Sequence, residues 1–273
     1  MAAPRVLILT ASVGEGHDLP ARVLAAGIRE RRPDARVDVV DGLSAMGWPL
    51  SAVAGGGQRL MSYRLRFLLD AQYALFGRCA PLRAAGKALL GALGARGLRR
   101  LVAETAPDVI ASTYPGTTEV LGRLRRRGSL DVPVVSAITD LSALHYWAAR
   151  GVDVHLVIHP ESAAEVRAIA GETEVVAVRG LYEPAMLAPI DRSAARAALS
   201  LPAEGPVVVV SGGGWGVGDL AGAMATALEV PDVFVVALCG RNEKARARLE
   251  KRFGTNPRAR VEGFTERMSD HLA

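Results

Sequence analysis

Cysteine is scarce in this 273-residue chain. The two present, Cys79 and Cys239, lie far apart and outside any Cys-x-x-Cys spacing, which excludes a disulfide framework and a cysteine zinc site. Both read as small core hydrophobes. Also lacking is an apolar run of the roughly 20 residues that a transmembrane helix requires. The longest charge-free candidate, Gly42 to Gln58, is broken by Gly, Pro and Ser. The amino-terminal apolar run is too short for a signal peptide and serves better as a buried strand, so a cytoplasmic location is expected. Half of the residues are hydrophobic, enough to bury a core in one large domain or two of ordinary size.

Acidic residues are nearly missing from one segment. Between Leu43 and Ala103 nine Lys and Arg face the single acid Asp70, so this stretch carries +8 while the rest of the chain carries −3. Bulky apolar residues interleave with the cations at 60–69 and 82–101, the composition of helices that lie in a lipid headgroup layer. An ordinary solvated helix face has the same composition. No nucleic-acid-binding motif accompanies the aromatics Trp48, Tyr63, Phe67, Tyr73 and Phe76, so no nucleic-acid partner is expected.

The chain is organised around Arg5 to Asp18. An apolar β-branched run ends in Thr10-Ala11-Ser12, passes Gly14 and Gly16 to His17, and enters a helical pattern from Leu19 to Arg32. Strand, tight loop and helix follow. In an open α/β sheet this loop lies at the carboxyl edge, where ligands bind and glycine lets the backbone come close. The spacing is neither a dinucleotide fingerprint nor a P-loop. A turn with a helix-capping histidine fits these residues equally.

Strands alternate with helices along the rest of the chain, which indicates a parallel, doubly wound sheet. Strands are expected near 36–41, 108–113, 132–139, 152–158 and 174–178, and their ends supply Thr113, Tyr114, Pro115, Thr139, Asp140 and His159 to one crevice. His145, five residues beyond Asp140, stands where the two could bond to each other. The stretch 179–184 reads as a domain connection. Beyond it a second strand ends in Ser211 and a loop, Gly212-Gly213-Gly214-Trp215-Gly216-Val217-Gly218-Asp219, precedes a helix. Consecutive amides at such a helix start suit an anion, though a plain turn reads the same way. Strands near 232–239 and 260–261 follow, so the second unit has about 80 residues and three strands, little for an independent α/β domain.

Five stretches in register resemble the monogalactosyldiacylglycerol synthase family, which includes processive diacylglycerol glucosyltransferases. They are Val6 to His17, Thr139-Asp140 with His145 and Trp147, Ser211 to Gly218, Cys239-Gly240-Arg241-Asn242, and Gly263 to Met268. The resemblance implies an α/β GT-B-like fold, two Rossmann-like parallel-sheet domains facing a cleft. Residues 1–183 would form the acceptor and membrane-facing domain. Residues 184–273 would form a UDP-sugar domain that is incomplete, because family members continue past the last stretch.

The implied activity is inverting transfer of galactose or glucose from a UDP-sugar to diacylglycerol or a related lipid. No metal or other cofactor is expected, since the UDP-sugar is a substrate. His17 would be the base. Ser12, Gly14, Gly16, Tyr114, Pro115, Asp140 and His145 would face the acceptor, and Gly212, Gly213, Gly214, Trp215, Gly263, Phe264 and Thr265 the donor. The basic segment 48–100 would meet the anionic inner face of the cell membrane. Where family members carry a basic residue, the connection has Glu183. A shortened, non-catalytic membrane-surface or interaction protein is the alternative.

Overall fold

A computed structural model describes residues 3–12, 15–52, 77, 79–141 and 143–273. Gly14 and positions 53–76 of the basic segment, including the helix expected over 60–69, lie outside the described residues. The chain divides into two units, Met1–Tyr182 and Glu183–Ala273.

The β-branched runs of the first unit form a six-stranded, wholly parallel sheet of order β2-β1-β3-β4-β5-β6. Its strands are β1 (Arg5–Thr10), β2 (Arg36–Asp41), β3 (Val109–Ser112), β4 (Val134–Ile138), β5 (Val154–Val157) and β6 (Glu174–Ala177). The chain runs outward from β1 to β2 and then returns to start β3 on the other side of β1. The order therefore reverses between β1 and β3, and the crevice outside their carboxyl ends is the place where such sheets bind ligands.

Helices cover both faces, as parallel sheets require. They are α1 (Glu15–Arg31), α2 (Ala80–Thr105), α3 (Pro115–Arg126) and α4 (Ala163–Ala170), with one-turn pieces between them. Successive β1 side chains point to opposite faces. Val6 and Ile8 pack with Ala21 and Ala25 of α1, while Leu7 and Leu9 join Leu98 of α2 and Val120, Leu121 and Leu124 of α3.

α2 approaches its neighbours along Gly91, Gly94 and Gly97, three residues apart. A Cβ at Gly91 would stand 2.5 Å from Arg123 Cδ, one at Gly94 would meet the Met46 thioether, and one at Gly97 would collide with the Ala45 carbonyl oxygen. Lys87 of α2 also reaches the buried Glu119 of α3 at 2.7 Å. These contacts bring the cation-bearing helix onto the core, and its outer face retains Leu82, Leu89 and Leu93 exposed.

The second unit has a three-stranded parallel sheet, β7 (Val207–Ser211), β8 (Phe234–Leu238) and β9 (Ala259–Glu262), in that order. Its helices include α5 (Arg192–Ala198), α6 (Leu220–Leu228) and α7 (Glu243–Phe253). Leu220 and Met224 of α6 and Leu249 and Phe253 of α7 pack with Val235 and Ala237 of β8. Among the described residues, no helix is long and apolar enough to cross a membrane.

Candidate functional site

The first unit gathers its polar residues at the β1/β3 switch point. α1 begins at Glu15, four residues before the periodicity places it, so His17 sits inside the first helical turn rather than in a loop. Pro20 lies within α1, past its first turn, where it removes the N–H that would bond to the Gly16 carbonyl. His17 Nδ1 is 3.0 Å from the carbonyl oxygen of Thr113, the residue after β3. A carbonyl only accepts, so Nδ1 carries the proton and Nε2 presents a lone pair. Burial pushes the His17 imidazole below its ordinary value, against the opposing influence of the Thr113 carbonyl and the charges of Asp140 and Asp18. The ring is therefore neutral at pH 7.

Aromatic rings flank this imidazole. The Tyr114 ring meets it edge-on with centroids 5.1 Å apart, and the Trp147 ring is tilted against it at 5.6 Å. Trp147 is buried, and its indole N–H donates to Asp140 Oδ2 at 2.7 Å. Tyr114 precedes α3, and Pro115 opens that helix, where its missing N–H costs nothing. Ser12 joins through its backbone, donating to Asp41 Oδ2 at 3.0 Å. Burial raises the Asp41 pKa, but the bonds from Ser44 and Ser12 outweigh it, so the group lies below the usual carboxylate range. Gly16 faces open space.

The structure does not join Asp140 to His145. Asp140 is bound to Trp147, and the ionic neighbours of His145 are Arg83, Lys87 and Glu165. Burial, then Arg83 and Lys87, push the His145 pKa down, and its Nε2 has no hydrogen-bond partner among the described residues. The one-turn helix Leu144–Trp147 explains the difference. It turns Trp147, two residues further on, toward Asp140. Trp147 is thus a site residue that spacing alone did not single out, and its presence in one of the five family-like stretches was the available signal.

In the second unit the carboxyl ends of β7, β8 and β9 bring together Gly212–Asp219, Cys239–Asn242 and Gly263–Thr265. Gly213, Gly216 and Gly218 have φ of +64°, +58° and +108°, conformations that favour glycine. A Cβ on Gly216 would collide with the Cys239 carbonyl, and one on Gly240 with the Gly213 carbonyl. Backbone therefore packs on backbone. Arg241 N–H donates to Gly214 O at 2.9 Å, and Asn242 Nδ2 donates to Gly216 O at 3.0 Å while its Oδ1 caps α7 through Ala245 N–H.

Several amides expected to face an anion are used within this loop. Gly212 N–H donates to Leu238 O, Gly213 N–H to Ser211 Oγ, Gly216 N–H to Gly213 O and Val217 N–H to Gly212 O. The start of α6 is capped by the Asp219 carboxylate, which accepts from Gly222 N–H at 2.9 Å, so negative charge already occupies that helix end. Trp215 is half-buried in the same loop. The Phe264 ring is 45% exposed and the Arg241 guanidinium lies 3.9 Å over its centroid, a flat cation-backed platform. Thr265 Oγ1 accepts from Arg267 N–H at 3.0 Å, and a Cβ at Gly263 would meet nothing closer than 3.7 Å. Arg241 and Asn242 were legible only as part of a family-like stretch. Among the described residues no group of three or more His, Cys, Asp or Glu could hold a metal ion.

Two parallel α/β units with polar residues collected at the carboxyl ends of their strands define a glycosyltransferase fold of the GT-B type. A crystal structure of Anabaena Alr3699/HepE in complex with UDP and glucose shares that architecture, with a TM-score of 0.53 and 19% identity over 98% of this chain and 71% of that one. Residues 83–182 match the family model for monogalactosyldiacylglycerol (MGDG) synthase.

The chain is 30% identical to a probable monogalactosyldiacylglycerol synthase 2, chloroplastic, of Oryza sativa subsp. indica, over 98% of this chain and 59% of that protein. It is 24% identical to a processive diacylglycerol beta-glucosyltransferase of Bacillus cereus (strain 03BB102), over 98% of this chain and 68% of that protein. The chain thus spans roughly three fifths to two thirds of the length of the curated relatives it matches.

Proposed function

We propose that this chain takes part in inverting transfer of a hexose, galactose or glucose, from a UDP-sugar to diacylglycerol or a related lipid, with His17 as the base. The observation that carries the reading is the His17 ring with Nδ1 3.0 Å from the Thr113 carbonyl oxygen, which fixes the proton on Nδ1 and leaves the Nε2 lone pair to accept one. In the step proposed, Nε2 takes the acceptor hydroxyl proton as the oxygen bonds to the anomeric carbon, and the anomeric carbon–oxygen bond breaks with its electron pair leaving on UDP. The nearby Asp140 charge stabilises the imidazolium that forms. The names of the rice and Bacillus relatives, both of which specify a glycosylated diacylglycerol, support the choice of acceptor.

The first unit is read as the acceptor side and the second as the donor side. There the Arg241-backed Phe264 ring suits a nucleobase, and the Gly212 to Trp215 loop borders it. Membrane contact is assigned to the outer face of α2, where Leu82, Leu89 and Leu93 stand beside the exposed Arg96, Arg99 and Arg100, with Trp48 84% exposed nearby. Apolar residues and cations on one face match an anionic leaflet such as the inner surface of the cell membrane.

The test is transfer from UDP-galactose and UDP-glucose to diacylglycerol in vesicles, with His17→Ala beside the unaltered chain. Loss of transfer from a variant whose circular dichroism is unchanged is expected. Transfer that survives the substitution refutes the role of His17. Salt-sensitive vesicle binding without any UDP affinity would instead favour a non-catalytic membrane-surface homologue, which the Asp219-capped start of α6 allows.

A further inference from the structure

The first turn of α1 is poorly held by its own sequence. Gly16 contributes no side chain and costs backbone entropy, and Pro20 has no N–H with which to satisfy the Gly16 carbonyl. His17 lies in that turn, so its position has to be set from outside the helix. Three bonds from the neighbouring strands do so. Thr10 Oγ1 donates to Asp18 Oδ1 at 2.8 Å, His17 Nδ1–H donates to Thr113 O at 3.0 Å, and Thr113 Oγ1 donates to His17 O at 3.0 Å. Thr113 supplies two of the three, grasping His17 at its ring and at its backbone.

Thr113 is itself firmly placed. It is fully buried, and its N–H donates to Leu9 O at 2.9 Å, extending the ladder to β1. The turn behind it is locked by buried hydroxyls. Thr117 Oγ1, Thr118 Oγ1 and Ser112 Oγ stand 2.8, 3.0 and 3.0 Å from the Tyr114 carbonyl oxygen, and Ser112 and Thr117 also bond to each other at 2.7 Å. A side chain pre-organised in this way can hold a partner without paying to be ordered itself.

We propose that Thr113 is a positioning residue for His17, its hydroxyl and carbonyl together holding the imidazole in one place and one tautomer with Nε2 as the accepting nitrogen. The proposal rests on the reading of His17 as the base. Thr113→Val retains the branched shape and the Thr113 N–H bond to Leu9 O but deletes the hydroxyl that holds the His17 backbone, which lets the ring leave the Thr113 carbonyl, and Thr113→Ser restores the hydroxyl without the methyl group.

The experiment pairs two-bond nitrogen–proton NMR of the histidine rings with kinetics of hexose transfer. The unaltered chain is expected to show His17 as a single Nδ1–H tautomer. Thr113→Val is expected to give mixed tautomers and a kcat lower by roughly tenfold with an unchanged KM for the UDP-sugar, and Thr113→Ser to restore both. A mixed or Nε2–H pattern in the unaltered chain overturns the proposal, even if Thr113→Val does not fold. So does a Thr113→Val spectrum identical to that of the unaltered chain, or a Thr113→Ser variant as impaired as Thr113→Val. If the unaltered chain transfers no hexose, the base reading falls while the NMR comparison still decides the clasp.

Discussion

Replacing Gly97 with alanine tests whether the glycine stripe of α2 is there for close packing. In a helix interior alanine is favoured over glycine by about 1 kcal/mol, so an alanine substitution at any of these glycines begins with that gain. The neighbours then decide the sign. At Gly97 the added Cβ would collide with the Ala45 carbonyl oxygen and stand 2.9 Å from the Met46 Cα and carbonyl carbon, all backbone atoms that no rotamer change can move. Overpacking of this kind costs about 1–3 kcal/mol, and a rigid neighbour puts Gly97 at or beyond the upper end, for a net loss of about 2 kcal/mol.

At Gly91 the nearest atoms belong to the Arg123 side chain, which can swing aside, so Gly91→Ala should be neutral or stabilising by about 0.5 kcal/mol. For a unit of this size about 2 kcal/mol corresponds to a fall in Tm of about 4–8 °C. The assay is thermal and urea unfolding of the three chains followed by circular dichroism. Equal stability of Gly97→Ala and Gly91→Ala would refute the packing argument.

Four further outcomes follow from the geometry. His155 is fully buried, its Nε2 accepting from Ala149 N–H and its Nδ1 bonded to Thr173 Oγ1, and burial holds its pKa down at about 4 against 6.5 unfolded. The unfolded chain therefore binds the proton first as the solution is acidified. Stability present above pH 6.5 is lost as the pH falls through 4, by about 3 kcal/mol in all, and urea midpoints of the unaltered chain and His155→Gln should converge on acidification. For His17 the lowered pKa places the acid limb of the transfer rate below pH 6.5, and a limb centred above pH 7 would contradict a buried, neutral base. Gly216→Ala combines a φ of +58° with a clash against the Cys239 carbonyl. It should cost the second unit about 2 kcal/mol or more, read as faster amide exchange in β8 and α7, and Arg241→Ala should weaken UDP binding in calorimetric titration.

Most of the framework was legible because the parallel strands are continuous apolar runs with polar ends. β2 at Arg36–Asp41 coincides with the strand expected from its β-branched alternation. What periodicity missed depends on atoms brought together from distant positions. The first turn of α1 looks like loop because Gly14, Gly16 and Pro20 are poor helix formers, and it is helical where Thr10 and Thr113 hold it. The partner of Asp140 is Trp147 rather than His145 because a one-turn helix intervenes, a feature too short to show a period. Gly91, Gly94 and Gly97 lie within the segment 82–101 that was read for its leucines and arginines, and the use of these glycines emerges only from what they touch. The glycine loop after β7 was visible as a loop, but not that its amides would be spent internally and that Asp219 would cap the next helix.

The proposed chemistry is transfer with inversion at a base held by the first unit. It is tested most directly by incubating the 273-residue chain with anomerically labelled UDP-galactose or UDP-glucose and diacylglycerol vesicles, and reading the configuration of the lipid product by NMR. A β-linked hexosyl diacylglycerol is expected from the α-linked donor, and none with His17→Ala. An α-linked product, or none from a folded chain that binds both UDP and vesicles, would contradict it.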